Sequence, residues 1–510
     1  MDRNLHNPSS SRFCAYTICI CFYTLIGVIA ISSDSLWIDE FMTHKYASFP
    51  NISGMFKCIF KEKASETQMP FYLSYMWLYE KLFSIGEFSL RASGLPFFIT
   101  GMTALTIQLS RHLRSHISAY VVFGLSPFIW YYLNEARPYS IHIGISAVIL
   151  ASLLQLSGTT TKESMTTNTQ GSHKNWFRVF CAALLLLSGT SMLCQLWVGA
   201  AILCAFVVIP KERLIGIFRD QKIALIFTFT GLLCIGLYYL WSLSIGARAA
   251  ATESPGLFST IFIFYELLGL TGTGPGRFEL REHGVSVIRP YLAKLIIHGL
   301  LIGSVFTVGI FKLFRSKNVK STLAVVVCLS LPVLLILAAG IITEFRVLGR
   351  HFAPLVVILL YVLCVGLHHM MQHRNKFGII LLILFAIFQA KSCLLVRYGD
   401  RHKKDNYRLA ATIANVALDR GETVWWNANP DSALYYKLPA EYSDADHHFY
   451  MLEKPTDQQL KEACAPDIVI TSKADIFDSD RVMSQYLQSR GYIDKQKIRC
   501  FTIWKKPATP

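Results

Sequence analysis

Acids and arginines recur together at the ends of apolar blocks in this chain. Trp37-Ile38-Asp39-Glu40 follows the first block, and Glu66-Thr67-Gln68-Met69-Pro70 opens an aromatic stretch. Asn134-Glu135-Ala136-Arg137-Pro138-Tyr139 links two blocks, Arg346, Arg350 and His351 lie between two others, and Arg91 starts a further one. A carboxylate can take a proton from a hydroxyl or hold a hard cation. A guanidinium can hold phosphate or carboxylate through paired hydrogen bonds. Charges at membrane depth are costly and are therefore paired or functional. A lone arginine at a helix end is also explained by snorkelling, as part of a polar rim. Adjacent acids beside Trp37 at the end of a span are not needed for anchoring and point to chemistry.

The elements that position these residues are membrane spans. Of 510 residues, 53% are hydrophobic and 16% charged, and the apolar residues come in long blocks. A block of about twenty apolar residues crosses a bilayer as a helix and satisfies its own backbone hydrogen bonds. Blocks read at 13–33, 88–110, 115–133, 138–157, 177–193, 194–209, 222–244, 291–312, 321–343, 352–370 and 378–396, which makes about eleven spans. The first, preceded by Arg3 and Arg12, reads as a retained helix. The aromatic stretch 70–85 is too short to cross and reads as an interfacial helix in the first outer loop. With the N-terminus in the cytoplasm, the basic groups Arg111/Arg114, Lys162/Lys174/Arg178, Lys211/Arg213/Arg219/Lys222, Lys312/Arg315/Lys317/Lys320 and Arg374/Lys376 all fall inside. Counting 70–85 as a span would put those groups outside. The formal charge of +16 is distributed in these loops rather than in one patch, which argues against nucleic acid as a partner.

The outer face then receives 34–87, 134–138, 245–290, 344–351 and the tail. The chain divides into a transmembrane domain, 1–396, and an extracytoplasmic tail, 397–510. The tail is polar, with a helix-like stretch at 405–418 and strand-like runs at TVWW and APDIVITS, and reads as a small α/β domain. The fold class is thus a polytopic α-helical membrane protein with a small C-terminal α/β domain. Most of the 13 cysteines lie in apolar blocks and act as small apolar residues, while Cys464 and Cys500 in the tail can pair if it is extracytoplasmic. Gly272-Thr273-Gly274-Pro275-Gly276 is no P-loop, since no GK[ST] follows, and reads either as a cover near Arg277 or as a plain connection. Asn51-Ile52-Ser53 is a glycosylation sequon that matters only in a eukaryotic secretory setting. His142 and His298 read as ordinary buried or interfacial residues.

The order SLWIDEFMTHKYAS (35–48), ETQMPFYLSYMWLYEKLF (66–83), GEFSLRASGLPF (86–97) and SPFIWYYLNEARPYS (126–140) resembles the type-C membrane glycosyltransferases. Within them it is similar to the bacterial branch related to protein O-mannosyltransferases and lipid A aminoarabinose transferases. Weaker echoes stand at GRHFAPL (349–355) and at KDNYRLAATIA and RGETVWW (404–426). The chain departs from the family in having Glu66, Gln68, Met69 and Pro70 where Asp, His and a Pro pair are frequent, and Asn134 where Gln is. The resemblance implies transfer of a sugar, with inversion, from a polyprenyl-phosphate donor to a glycan, lipid or protein acceptor at the outer face of a cell (inner) membrane. It implies Asp39 as the base. Glu40, about 100° away on a helix, is read as orienting the loop or the sugar, and Glu135 as positioning the acceptor or joining a metal site. The leaving phosphate needs cations, for which Arg137 and Arg350 are the candidates, with Arg91, Arg346 and His351 behind them. Glu66 and Tyr139 complete the substrate-binding set. A divalent cation (Mg or Mn) held by Asp39, Glu66 or Glu135 is another source of positive charge.

A secondary transporter or a lipid-linked saccharide flippase is the alternative. A transporter is expected to show inverted repeats and broken spans around midplane polar groups. Here the charges gather on one face.

Overall fold

The computed structural model describes residues 8–83, 86–113, 115–158, 168–246, 255–315, 319–372, 376–439 and 448–507. Arg114, Lys162, Lys317 and Arg374 of the basic groups fall outside these ranges, as does Arg3 before the first span. The chain forms two compact units. One comprises Met1–Ser32, Phe49–Ser84 and Ser89–Lys403, and the other Ser33–Ser48, Ile85–Phe88 and Lys404–Pro510.

The first unit is helical. Among the described residues eight helices are long and apolar enough to cross a membrane: Phe13–Ala30, Glu87–Leu113, Tyr139–Leu156, Lys222–Ser244, Gly284–Arg315, Thr322–Thr343, Gly349–Gln372 and Lys376–Tyr398. The Cys194–Val208 and Lys211–Asp220 helices, bent by 118° at their junction, add a ninth if taken as one span. Two of the expected spans do not appear as such, for local reasons. The 115–133 block breaks into Ile117–Gly124 and Pro127–Leu133, because Pro127 lacks the N–H that would continue the helix and Ser126 caps the second piece. The 177–193 block lies in the Asn168–Thr190 helix, whose opening turns are polar through Arg178. The 70–85 stretch forms the helix Pro70–Leu82, whose 13 residues are too few to span.

Tyr139–Leu156 and Gly349–Gln372 are the central helices, each with 83% of its apolar window buried, whereas Lys222–Ser244 has 11%. In lipid, close backbone approach replaces the hydrophobic effect as the packing force. A Cβ on Gly101 would lie 2.1 Å from the Gly144 carbonyl oxygen, and one on Gly144 would lie 2.3 Å from that of Phe97. Gly309 and Gly366 play the same part between the Leu292–Arg315 and Ala353–Gln372 helices, where a Cβ on Gly366 would lie 2.0 Å from the Val305 oxygen. Neither obstruction is a flexible side chain, so Gly144→Ala must separate two helices. It is expected to destabilise the protein by about 1–3 kcal/mol, measured as a lowered melting temperature in detergent.

The second unit is an α/β fold around a five-stranded sheet in the order β2-β1-β3-β5-β4. The strands are β1 (Val424–Asn427), β2 (Phe449–Met451), β3 (Ile468–Ser472), β4 (Ile493–Ile498) and β5 (Phe501–Lys505). β1 pairs in parallel with β2 and β3, while β5 runs antiparallel to β3 and β4. Trp425, Val469, Met483 and Leu487 fill one core cluster. The unit also contains the Ile38–Ala47 helix from the first outer loop. Phe41 on that helix packs edge-on against Tyr407, Tyr435 and Tyr436 at 5.2, 5.5 and 5.8 Å, and Lys45 pairs with Asp431 at 3.8 Å. Arg408 ties Ser33 and Glu87 to the same unit. Cys464 is exposed and Cys500 buried, and both are free thiols.

Candidate active site

Each unit carries part of the residue set. In the second unit, Trp37 is the N-cap of the Ile38–Ala47 helix. Glu40, with no exposed surface, accepts the Trp37 backbone N–H at 3.2 Å, so its carboxylate holds the start of its own helix. Asp39 is half-buried, and its carboxylate charge is felt at the Tyr407 hydroxyl. Burial, then the negative charges of Asp405 and Asp39, push the Tyr407 phenol well above its ordinary value. The Nζ of Lys404 and that of Lys473 lie 5.5 and 5.9 Å from the Trp37 ring, and Lys473, just beyond β3, pairs with Asp405 at 2.5 Å. The helix that bears Asp39 thus starts beside tail lysines at Trp37, and the Asp39 carboxylate lies near enough to Tyr407 for its charge to act there.

In the first unit, Glu66 lies in a 3-10 turn ahead of Pro70–Leu82. Its carboxylate accepts from Arg137 at 3.2 Å and from Ser65 at 2.9 Å, and Glu66 and Arg137 are both buried. Arg91 is 1% exposed and donates to the carbonyl and hydroxyl oxygens of Ser32 at 3.0 and 3.1 Å. Asn134 accepts the Ser32 backbone N–H at 2.7 Å. Arg91 and Asn134 therefore brace the end of the first span. Arg350 lies 5.8 Å from the Tyr139 ring centroid. The ring nitrogen Nδ1 of His351 accepts the Leu348 N–H at 3.2 Å, and Arg346 is exposed.

Both central helices begin at these residues, one at Tyr139 and the other at the Gly349–Phe352 turn. Helix N-termini present unsatisfied N–H groups and favour anions. Arg277 donates to the Tyr131 hydroxyl and pairs with Glu266, Gly349 packs on that acid, and Glu135 and Arg350 lie near enough for their charges to act on Tyr131, so these residues form one cluster.

Two members of that cluster were not among the expected site residues. Glu266 forms an ion pair with Arg277. Arg277 also donates to the Tyr131 and Tyr132 hydroxyls at 3.2 and 2.5 Å, and its guanidinium lies 4.4 Å from the Tyr131 ring centroid. A Cβ on Gly349 would lie 2.1 Å from Glu266 Oε2, so glycine there lets the Arg350 turn close against this acid. The available signal was Glu266 itself, an acid within the apolar run Leu257–Leu267. The glycine-rich segment beside it is pinned in place. Thr273 bonds to His298 at 3.0 Å, Tyr265 donates to the Pro275 carbonyl at 3.0 Å, and Gly272 packs against Ser392. Among the described residues no group of three or more His, Cys, Asp or Glu is arranged to hold a metal ion, and Glu66, one of the expected ligands, is engaged by Arg137.

No family model and no curated protein sequence matches the chain. Solved structures do. ArnT from Cupriavidus metallidurans bound to undecaprenyl phosphate is matched over 97% of this chain and 98% of its own, at 11% identity and a TM-score of 0.51. The apo state of the same protein is matched over the same shares, at 10% identity and a TM-score of 0.51. The Archaeoglobus fulgidus oligosaccharyltransferase is matched over 90% of this chain and 68% of its own, at 10% identity and a TM-score of 0.46. ArnT is a lipid A aminoarabinose transferase, and the match to it extends through both membrane helices and tail. The chain has the fold of the type-C membrane glycosyltransferases.

Proposed function

We propose that the protein is an inverting glycosyltransferase that takes a sugar from a polyprenyl-phosphate donor at the extracytoplasmic face of the cell membrane. The observation that carries this reading is the set of arginines and acids at the N-terminal ends of the two central helices, with Glu135 and Arg137 buried and Arg350 half-buried, on a fold shared with ArnT. Asp39 removes the proton from the acceptor hydroxyl. The acceptor oxygen then attacks the anomeric carbon from the face opposite the phosphate. The bond from that carbon to the phosphate oxygen breaks, and the configuration inverts in one displacement. The polyprenyl phosphate departs with its added negative charge, which Arg137 and Arg350 stabilise, with Arg277 beside them. Glu66 holds Arg137, Tyr139 faces Arg350, and Glu135 positions the acceptor.

Orientation has its own support. The Tyr139–Leu156 helix has the proposed site at its first residue and, at its last, a carbonyl that accepts from Arg213 at 2.5 Å. Its 18 residues extend about 27 Å, close to the thickness of a bilayer's hydrocarbon core. Lys174 and Arg178 meet Asp220 and Gln221 at 3.1 and 2.8 Å, so basic groups from separate loops gather together. Basic loops mark the cytoplasmic side, which leaves the acids and arginines at Tyr139 on the outer side.

Mass spectrometry of envelope glycans and lipids, with and without the protein, is expected to differ by one sugar and so identify donor and acceptor. If the profiles match, and purified protein in proteoliposomes moves a labelled lipid-linked sugar across the bilayer without cleaving its phosphate bond, the flippase reading replaces this one.

A further inference from the structure

At the end of the first unit that carries Arg213 lies a cleft of about 660 Å³. Arg178 lines one wall, and Arg219, Gln221 and Lys222 line the other. Ile223 and Phe227 extend the lining one turn along the Lys222–Ser244 helix. None of these residues has a part in the sugar transfer proposed above.

The cleft is built rather than incidental. Gln221 is 5% exposed and accepts from Arg178 Nε at 2.8 Å, which fixes the two walls to each other. Asp220 is the acid in the lining, paired with Lys174 at 3.1 Å and with Arg219 at 3.4 Å. Its hydrogen bond with Lys174, and then the charge of that lysine, hold its carboxyl below the ordinary value, so it stays ionised. One carboxylate thus faces Lys174, Arg178, Arg219 and Lys222, and positive charge remains in excess.

Beside these cations the surface is apolar and uncovered. Ile223 is 85% exposed and Phe227 71%, on a helix whose length and composition place it in lipid. The preceding Lys211–Asp220 helix turns by 118° from Cys194–Val208 and exposes Ile215 and Phe218 alongside its basic residues. That is the arrangement of a helix lying at a headgroup boundary. A free anion would use the cations and leave the adjoining apolar wall unused. A lipid with an anionic headgroup uses both.

We propose that this cleft binds an anionic phospholipid, with its phosphate on Arg178, Arg219 and Lys222 and an acyl chain along Ile223 and Phe227. The site lies at the opposite end of the Tyr139–Leu156 helix from the residues proposed for sugar transfer, and the inference stands independently of that activity.

The test uses the full-length protein in nanodiscs of phosphatidylcholine, with and without phosphatidylglycerol, and scores retained lipid by native mass spectrometry. The wild type is expected to retain phosphatidylglycerol preferentially. Each basic residue near an anionic lipid contributes about fivefold, so R178Q/R219Q/K222Q is expected to lose the preference by on the order of a hundredfold at low salt. Lys222 is exposed, so Lys222→Gln keeps the fold and is expected to lose about fivefold. A wild type with no preference, or variants that keep it, overturn the proposal. So does displacement of phosphatidylglycerol by millimolar inorganic phosphate with an equal gain in thermal stability, which would assign the cleft to a free anion.

Discussion

Asp39→Asn is expected to lower sugar transfer by roughly 10²–10⁴-fold, the range that a positioned general base supplies. An acceptor hydroxyl is a weak nucleophile until its proton is taken, and an amide cannot take it. The substitution keeps the shape of the side chain, and the Trp37 N–H at the start of the Ile38–Ala47 helix is held by Glu40. Expression, membrane insertion and melting temperature are therefore expected to match the wild type. Glu40→Gln is the informative partner. Glu40 acts through an oxygen that accepts the Trp37 N–H, and glutamine offers such an oxygen. It is expected to lose less than about tenfold, because capping survives. Both variants are read by transfer of a labelled sugar from a polyprenyl-phosphate donor by purified protein. Equal losses in the two, or undiminished transfer by Asp39→Asn, would remove Asp39 from the role of base.

The second large effect concerns Arg137 and Glu66. Their side chains are 7% and 6% exposed at a separation of 3.2 Å. Removing one member leaves the other charge buried without its counter-ion, which typically destabilises by about 3–5 kcal/mol. Arg137→Gln and Glu66→Gln are each expected to melt well below the wild type. The double variant is expected to recover part of that loss, with a coupling of about 1–3 kcal/mol. Transfer should not recover with it. If Arg137 stabilises the departing phosphate, the double variant stays down by about 10²–10³-fold, the effect of deleting one such donor. A double variant that regains both melting temperature and transfer would reduce Arg137 to a structural partner of Glu66.

The spans were legible where apolar runs were long and unbroken, as at 222–244 and 378–396. They were less so where a single residue changed the outcome. Pro127 divides one block by denying a hydrogen bond, and the polar turns before Phe177 shorten another, neither of which an apolar block shows by itself. The tail's α/β character followed from its β-rich runs, and β1 and β3 stand where TVWW and APDIVITS were read as strands. Its order β2-β1-β3-β5-β4 depends on pairings between distant segments, which local pattern does not encode. Among the site residues, the acids and arginines at span ends were visible because such charges are unusual there. The Arg137–Glu66 pair was not, because the partners are 71 positions apart. Glu266 stood out as an acid in an apolar run, but its partner Arg277 and the closure of Gly349 on it depend on tertiary packing that the run does not encode.

The tail unit incorporates Ser33–Ser48 and Ile85–Phe88 along with everything after Lys404. A chimera that exchanged only residues 404–510 for those of a relative would strip Phe41 of Tyr407, Tyr435 and Tyr436, and Glu87 of Arg408. The helix bearing Asp39 would then meet a foreign surface. A graft that respects the fold must carry three discontinuous pieces together, and so brings its own carboxylate at position 39 with it.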